Sequence, residues 1–253
     1  MQTLTDTPWL VFVLSFIAFW LCSLLGAALR RKQEALGERA PEAFSLILTA
    51  SLTLLGLIVG FTFSMAVNRY DQRKNYEAEE ANAIGTEYVR AGLLPAGDAA
   101  MTRTLLRSYL DQRILLYHTR DEARRVEIRQ RINQLQQQLW SAVQNAALTQ
   151  PSALTALAAA GMNDVLNSQS YTQAAWWNRI PPAAWLLMSL IAVLCNVMVG
   201  YAASGATRRS LLLLILPLLL AIAFMLIADI DSPRGGLIRV SPQNLLSLSE
   251  QMR

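Results

Sequence analysis

Four stretches without a charged residue constrain the fold of this chain more than any other feature of its sequence. They occupy residues 7–29, 43–68, 180–207 and 210–228. A helix needs roughly 20 mainly apolar residues to cross a bilayer, and each stretch meets or approaches that length. Over the whole chain 16% of residues are charged and the mean hydropathy is +0.30. Together these features exclude an ordinary soluble enzyme, a disordered chain and a disulfide scaffold.

The stretches predict an all-α, polytopic membrane protein with four transmembrane helices and an α-helical polar domain between helices two and three. The predicted organisation is as follows: residues 1–66 with spans at 9–29 and 44–66, an extramembrane domain at 67–180, residues 181–228 with spans at 183–203 and 211–228, and a C-terminal tail at 229–253. No segment shows the alternating pattern of a strand.

The second span does not end cleanly at the membrane edge. Residues 68–90 are rich in Ala, Glu and Arg and contain no proline. These residues favour helix, so the sequence predicts one helix that continues from the span to about Val89. A turn follows at Leu94-Pro95-Ala96-Gly97. Three further helices are expected at residues 102–118, 121–147 and 152–180.

Chemistry-bearing motifs are scarce. We find no arrangement of a nucleophile with its base, no phosphate-binding glycine loop and no metal-ligand spacing. His118 is the only histidine, and Cys22 and Cys195 each lie inside a predicted span. Positive and negative charges nearly balance over residues 67–180, which argues against a nucleic-acid partner. The sequence therefore predicts no enzyme activity, no catalytic residue, no metal site and no cofactor.

Two charged clusters are expected at the same membrane face, because spans two and four both end there. The first follows span two and contains Arg69, Asp71 and Arg73; the second follows span four and contains Asp229, Asp231 and Arg234. Charged groups at a membrane edge either reach the headgroups or pair with another helix. We expect ion pairs between the clusters, and a cation site or gate near a pore mouth stays open as the alternative.

Glu77 and Glu80 are expected on one face of the helix that continues from span two, because they are three residues apart. In an assembly around an axis, such a face forms an acidic ring that selects cations. In a monomer, it is a solvated helix surface. The sequence leaves both possibilities open.

The positive-inside rule does not orient the chain. The two short loops carry six basic residues near the membrane, and the other side also carries six. The first set is Arg30, Arg31, Lys32, Arg39, Arg208 and Arg209; the second is Arg69, Arg73, Lys74, Arg179, Arg234 and Arg239.

Several short motifs are similar to those of a known family. Gly60-Phe61 and residues 67–70 resemble the end of the pore helix in the bestrophins, which are homo-pentameric ion channels. Residues 61–66, 80–85 and 231–236 are similar to signatures of a bacterial bestrophin-like membrane family whose function is unassigned. The second resemblance covers about residues 44–250, and the first is patchier.

The resemblance implies a homo-oligomer, most simply a pentamer, with span two lining an axial pore. Its neck would consist of Thr53, Leu57 and Phe61, of which Thr53 departs from the apolar pattern. It also implies an inner-membrane location with the helical domain and both termini in the cytoplasm. The partners it implies are membrane lipid, small inorganic ions and further copies of the chain. Neither calcium gating nor ion selectivity follows from the resemblance.

The functional prediction is a homo-oligomeric ion channel of the bacterial inner membrane with span two lining the pore. Arg69, Arg73, Lys74, Glu77 and Glu80 would then line a vestibule. The alternative is a non-conducting membrane scaffold or sensor that binds a partner through its helical domain. Small residues of span two lie near Leu57 on one side of the helix, which fits either a pore or close helix packing.

Overall fold

The structure is a computed structural model that describes residues 6–35, 43–203, 211–233 and 235–253, and all regular structure in these ranges is helical. Eight α-helices occur in them: α1 (Pro8–Ala35), α2 (Phe44–Arg90), α3 (Ala96–His118), α4 (Glu122–Thr149), α5 (Ala153–Trp177), α6 (Pro182–Ala202), α7 (Leu212–Asp231) and α8 (Gln243–Gln251). A short 3₁₀ turn at Ala91–Leu93 joins α2 to α3.

Within the described ranges, four helical stretches are long and apolar enough to cross a membrane. They are Pro8–Ala35, Phe44–Leu93, Ala153–Ala202 and Leu212–Asp231. The apolar parts of these stretches match the four predicted spans. The prediction of an all-α, multi-pass membrane protein is therefore confirmed.

The predicted continuation of span two is also confirmed, because α2 is one helix of 47 residues. At 1.5 Å per residue its length is about 70 Å. Residues 44–66 form its apolar part, and the polar part follows. Helix α3 begins at Ala96, six residues before its predicted start at Thr102. Pro95 occupies the N-cap position, and Asp98 lies in the first turn. A negative charge there stabilises the helix by its interaction with the helix dipole.

The chain divides into two compact units. The membrane unit comprises Met1–Tyr70 and Arg179–Arg239, and the helical unit comprises Asp71–Asn178 and Val240–Arg253. Residues 229–253, a single tail in the sequence-based organisation, are thus shared between both units. The sequence-based division into residues 1–66, 67–180, 181–228 and 229–253 stays a prediction.

Small and polar residues bring α1 and α6 together inside the membrane unit. A β-carbon at Gly200 would lie 2.7 Å from the carbonyl carbon of Ser23, and one at Gly26 would lie 2.8 Å from the amide nitrogen of Tyr201. Beside this contact the Ser23 hydroxyl lies 3.3 Å from Oδ1 of Asn196. Backbones that approach this closely maximise dispersion contacts, which drive helix association in lipid.

The core of the helical unit consists of apolar faces from α3, α4 and α5, to which α2 adds Ala81 and Ile84 and α8 adds Leu245. The apolar residues of α4 recur every three or four positions and are all buried: Ile128, Ile132, Leu135, Leu139, Ala142 and Ala146. Asp121 caps α4 by accepting from two backbone amides, and Ser152 forms a capping box with Thr155 at the start of α5. These caps satisfy amide groups that have no partner within the helix.

Candidate pore helix and its polar contacts

One face of the apolar part of α2 is left exposed by the other residues that the structure describes. Thr53, Leu57 and Phe61 lie on it at intervals of four residues, and the last two are 52% and 64% exposed. The opposite face is buried in the membrane unit through Leu55 and Ala66. The three predicted neck residues therefore share one surface that the described part of the chain does not cover.

The exposed face of α2 is rich in small residues. Gly56, Gly60 and Ser64 lie on it, and no atom comes within 4 Å of a β-carbon placed at either glycine. Large apolar side chains such as Leu46 and Leu54 are exposed on the same helix, as others are on α1 and α7. Lipid favours large apolar side chains, whereas small residues allow another helix to approach closely. The small residues of this face would therefore allow another helix to approach α2 closely.

Thr53, the departure from the apolar neck pattern, satisfies its hydroxyl within its own helix. Its Oγ1 donates to the Thr49 carbonyl oxygen at 2.9 Å. Thr62 on the buried face does the same with the Ile58 carbonyl at 2.8 Å. A threonine whose proton is held by the backbone presents its methyl group and a weak acceptor. Thr53 is thus less polar than its residue type implies.

The charged cluster after span two has members in different settings. Arg73 is 1% exposed within the helical unit, Asp71 is exposed, and Arg69 in the membrane unit is partly buried. Pairing of this cluster with Asp229 or Asp231 stays a prediction. Arg234 lies outside the described residues.

Glu77 and Glu80, the predicted vestibule or ion-pair residues of the extended helix, are both buried in the helical unit. Glu77 accepts from the Leu245 amide at 3.0 Å and from Nδ2 of Asn244 at 2.6 Å, and it thereby holds the first turn of α8. Both side chains are buried, and the Glu77 carboxylate is bound by these two donors. The described geometry therefore gives no support to an acidic ring formed by Glu77 and Glu80.

Glu80 forms an ion pair with Arg113 of α3. Nη2 of Arg113 donates to Oε2 of Glu80 at 2.9 Å, Nε donates to Oε1, and the Thr172 hydroxyl donates to Oε2 at 3.0 Å. The guanidinium also lies 5.9 Å from the ring centre of Trp176. Burial alone would lower the pKa of Arg113, but the Glu80 carboxylate raises it above its usual range. The Arg113 guanidinium therefore keeps its proton inside the helical unit.

Sequence reasoning missed this partner of Glu80. A signal was present, because Arg113 interrupts an otherwise apolar face formed by Leu106, Tyr109, Leu110 and Leu116. A cation in an apolar stripe is rarely buried without an anion. No local pattern, however, links positions 33 residues apart.

Asp229 and Asp231 bind backbone amides of the membrane unit. Asp231 accepts from the Ile180 amide at 3.1 Å, just before α6 begins. Asp229 accepts from the amides of Leu237 at 2.7 Å and Ile238 at 3.1 Å. Gly236 adopts a φ of +67° between them, a conformation that favours glycine. The two carboxylates therefore fix the loop after α7 and the entry to α6.

Replacing Asp229 with alanine should release that loop. Two amides lose their acceptor, and trypsin should then cut after Arg239 at least about tenfold faster, which corresponds to about 1.4 kcal/mol of local opening energy. Limited proteolysis of the full chain in detergent, followed by mass spectrometry, measures the rate. Asp111→Ala, at an exposed aspartate of α3, is the control. Equal cleavage rates in both variants would contradict the assignment.

Within the ranges that the structure describes, no group of three His, Cys, Asp or Glu side chains has the geometry to hold a metal ion. Cys22 and Cys195 are both free thiols.

Comparison with protein families decides the relationship. The model of the bestrophin-like domain matches residues 10–245. The chain belongs to the bestrophin-like family. This confirms the resemblance drawn from the motifs of residues 61–66, 80–85 and 231–236. A sequence search of curated proteins finds no match.

Solved structures of bacterial bestrophin homologues share the fold. One from Klebsiella pneumoniae, phased on zinc, has a TM-score of 0.66 at 16% identity, covering 94% of this chain and 98% of that chain. A variant of the homologue from the same organism, with a tryptophan replaced by alanine, gives 0.67 at 16% identity, covering 95% of this chain and 97% of that chain. At this identity the likeness establishes the fold alone.

Proposed function

We propose that this bestrophin-like protein is a homo-oligomeric ion channel of the bacterial inner membrane, a pentamer, with α2 lining the pore. The observation that carries the proposal is the uncovered face of α2, where Thr53, Leu57 and Phe61 stand among glycine and serine. Family membership supports it, because bestrophins are channels rather than enzymes.

Oligomerisation explains why this face is uncovered in a single chain. Where copies surround an axis, part of each face lines the axis and part contacts a neighbouring copy. Gly56 and Gly60 suit the contact, because they let two helix backbones approach. Leu57 and Phe61 suit the axis, because rings of apolar side chains close a pore by expelling water. By family resemblance, the helical unit and both termini face the cytoplasm.

Alanine at Leu57 or Phe61 should open the pore. Smaller side chains widen the apolar constriction and admit water, so ion flux should rise about tenfold, equivalent to a barrier lower by about 1.4 kcal/mol. Flux from liposomes holding the purified full chain, with chloride and potassium gradients tested separately, gives the magnitude and the selectivity. Leu190→Ala is the matched control, because Leu190 is a 55% exposed leucine of α6.

Light scattering on the detergent-solubilised protein must accompany the flux measurement. An oligomer whose flux rises in both α2 variants, but not in Leu190→Ala, supports the channel. Equal flux in all variants of a folded oligomer would contradict the pore assignment and favour the alternative, a scaffold or sensor acting through the helical unit. A monomer would contradict both the channel and the oligomer.

A further inference from the structure

Three glutamates of α2 are fully or almost fully buried in the helical unit, and one of them differs from the others. Glu77 and Glu80 each accept hydrogen bonds from at least two donors. Glu87 is 0% exposed, yet neither of its carboxylate oxygens has a hydrogen-bond partner in the described part of the chain. Since buried charges in proteins are paired, the isolation of Glu87 indicates a different charge state.

The Glu87 carboxyl group packs against α5 at Gly161. A β-carbon at Gly161 would clash with Oε2 of Glu87 and would also lie 2.7 Å from Nη1 of Arg90. Glycine at this position therefore makes room for the carboxyl group. Helices α2 and α5 therefore meet closely at Gly161, and the Glu87 carboxyl group occupies the space that a larger side chain would fill.

Two charged groups interact electrostatically with this carboxyl group. Arg90 lies one turn further along α2, and Asp164 lies one turn beyond Gly161 on the exposed side of α5. Arg90 forms no ion pair with Glu87 among the described contacts. The pKa of Glu87 is raised to about 8 by the sum of three effects: burial raises it most, the positive charge of Arg90 lowers it, and the negative charge of Asp164 raises it.

We propose that Glu87 is a proton-binding site of the helical unit, and that loss of its proton weakens the contact between α2 and α5 at Gly161. The neutral carboxyl group tolerates a buried position in which no donor is hydrogen-bonded to it, whereas the carboxylate there would lack the hydrogen bonds that a buried charge requires. The proposal concerns the helical unit alone and holds whether or not the protein conducts ions.

The direction of the pH effect follows from proton linkage. In the unfolded chain Glu87 ionises near its ordinary pKa of 4.5, whereas the folded chain keeps the proton up to about pH 8. The folded state therefore binds more protons between these values, and its stability falls as the pH rises through that window. Below and above the window, this group contributes no slope.

The test compares the wild type with Glu87→Gln, a neutral isostere of the protonated acid, in the full chain in detergent. The unfolding constant of the wild type should rise by up to about tenfold per pH unit, relative to the variant, between about pH 5 and about pH 7.5. Infrared spectroscopy should show the carbonyl band of a neutral carboxylic acid at pH 7, absent in Glu87→Gln. Glu79→Gln, at an exposed glutamate of the same helix, should retain both properties.

Two variants at the neighbouring charges keep the test independent of any folding defect in Glu87→Gln. Asp164→Asn removes a negative charge and should lower the midpoint at which the infrared band disappears. Arg90→Gln removes a positive charge and should raise it. Opposite shifts of that midpoint support the site.

Three results would overturn the proposal. They are an infrared band that persists in Glu87→Gln, parallel pH profiles of the wild type and that variant, and the absence of the neutral-acid band from the wild type at pH 7. The last would mean that the buried group is a carboxylate and not a protonated acid.

Discussion

Replacing Arg113 with methionine should destabilise the helical unit by about 3–5 kcal/mol, because it leaves Glu80 buried as an unpaired charge. The pair is 1% and 0% exposed at its two side chains, so water cannot take over the role of the guanidinium. The Thr172 hydroxyl remains as a donor to Glu80, but one neutral hydrogen bond does not replace an ionic pair with two.

Chemical unfolding of the full chain in detergent, followed by circular dichroism, measures this effect. Arg129→Met is the matched control, because the pair of Arg129 with Glu122 is 35% and 60% exposed. Pairs of that kind contribute about 0–1 kcal/mol. The double variant Glu80→Met with Arg113→Met should lose less stability than Arg113→Met alone, since no charge stays buried. Equal losses in Arg113→Met and Arg129→Met would refute the role of the buried pair.

Valine at Gly200 should prevent assembly of the membrane unit. Its side chain would meet the backbone of Ser23, which cannot move aside as a flexible side chain can. The α1–α6 contact would have to separate, which removes the Ser23–Asn196 contact as well. We expect a loss of at least about 3 kcal/mol, at the upper end of overpacking effects.

The yield of monodisperse protein and its melting temperature provide the readout for Gly200→Val. Gly60→Ala is the control, because a β-carbon at Gly60 meets no atom of the same chain within 4 Å. Its fold should be intact, and any loss of oligomer in this variant would place Gly60 at a contact between copies. A Gly200→Val protein as stable as the wild type would show that α1 and α6 do not meet as described.

The sequence predicts those parts of the fold that depend on local pattern. Uncharged stretches and helix formers without proline define the spans and the full length of α2. The predicted start of α3, Thr102, lay six residues too late. The turn around Pro95 is shorter than the composition of residues 94–97 indicates, and the helix begins at Ala96. Helix α8 was not predicted, because its first turn depends on Glu77, more than 160 residues earlier.

The site was less predictable, because its decisive features are contacts between distant positions. The spacing of Thr53, Leu57 and Phe61 is visible in the sequence, but their exposure depends on what packs elsewhere on α2. Glu80 and Glu87 are of one residue type on one helix. Only the structure separates the glutamate with a buried arginine from the one without a donor. The charge count also could not orient the chain, since it was equal on both sides.

The helical unit consists of Asp71–Asn178 and Val240–Arg253, with α6 and α7 of the membrane unit between them along the chain. During translation, the ribosome therefore delivers Glu77 long before Asn244 and Leu245, the residues that satisfy its carboxylate. Until α6 and α7 have been synthesised, the Glu77 carboxylate in residues 71–178 therefore lacks these two hydrogen-bond donors. Closure of the helical unit is thus a late step, which can follow only after α6 and α7 have been synthesised.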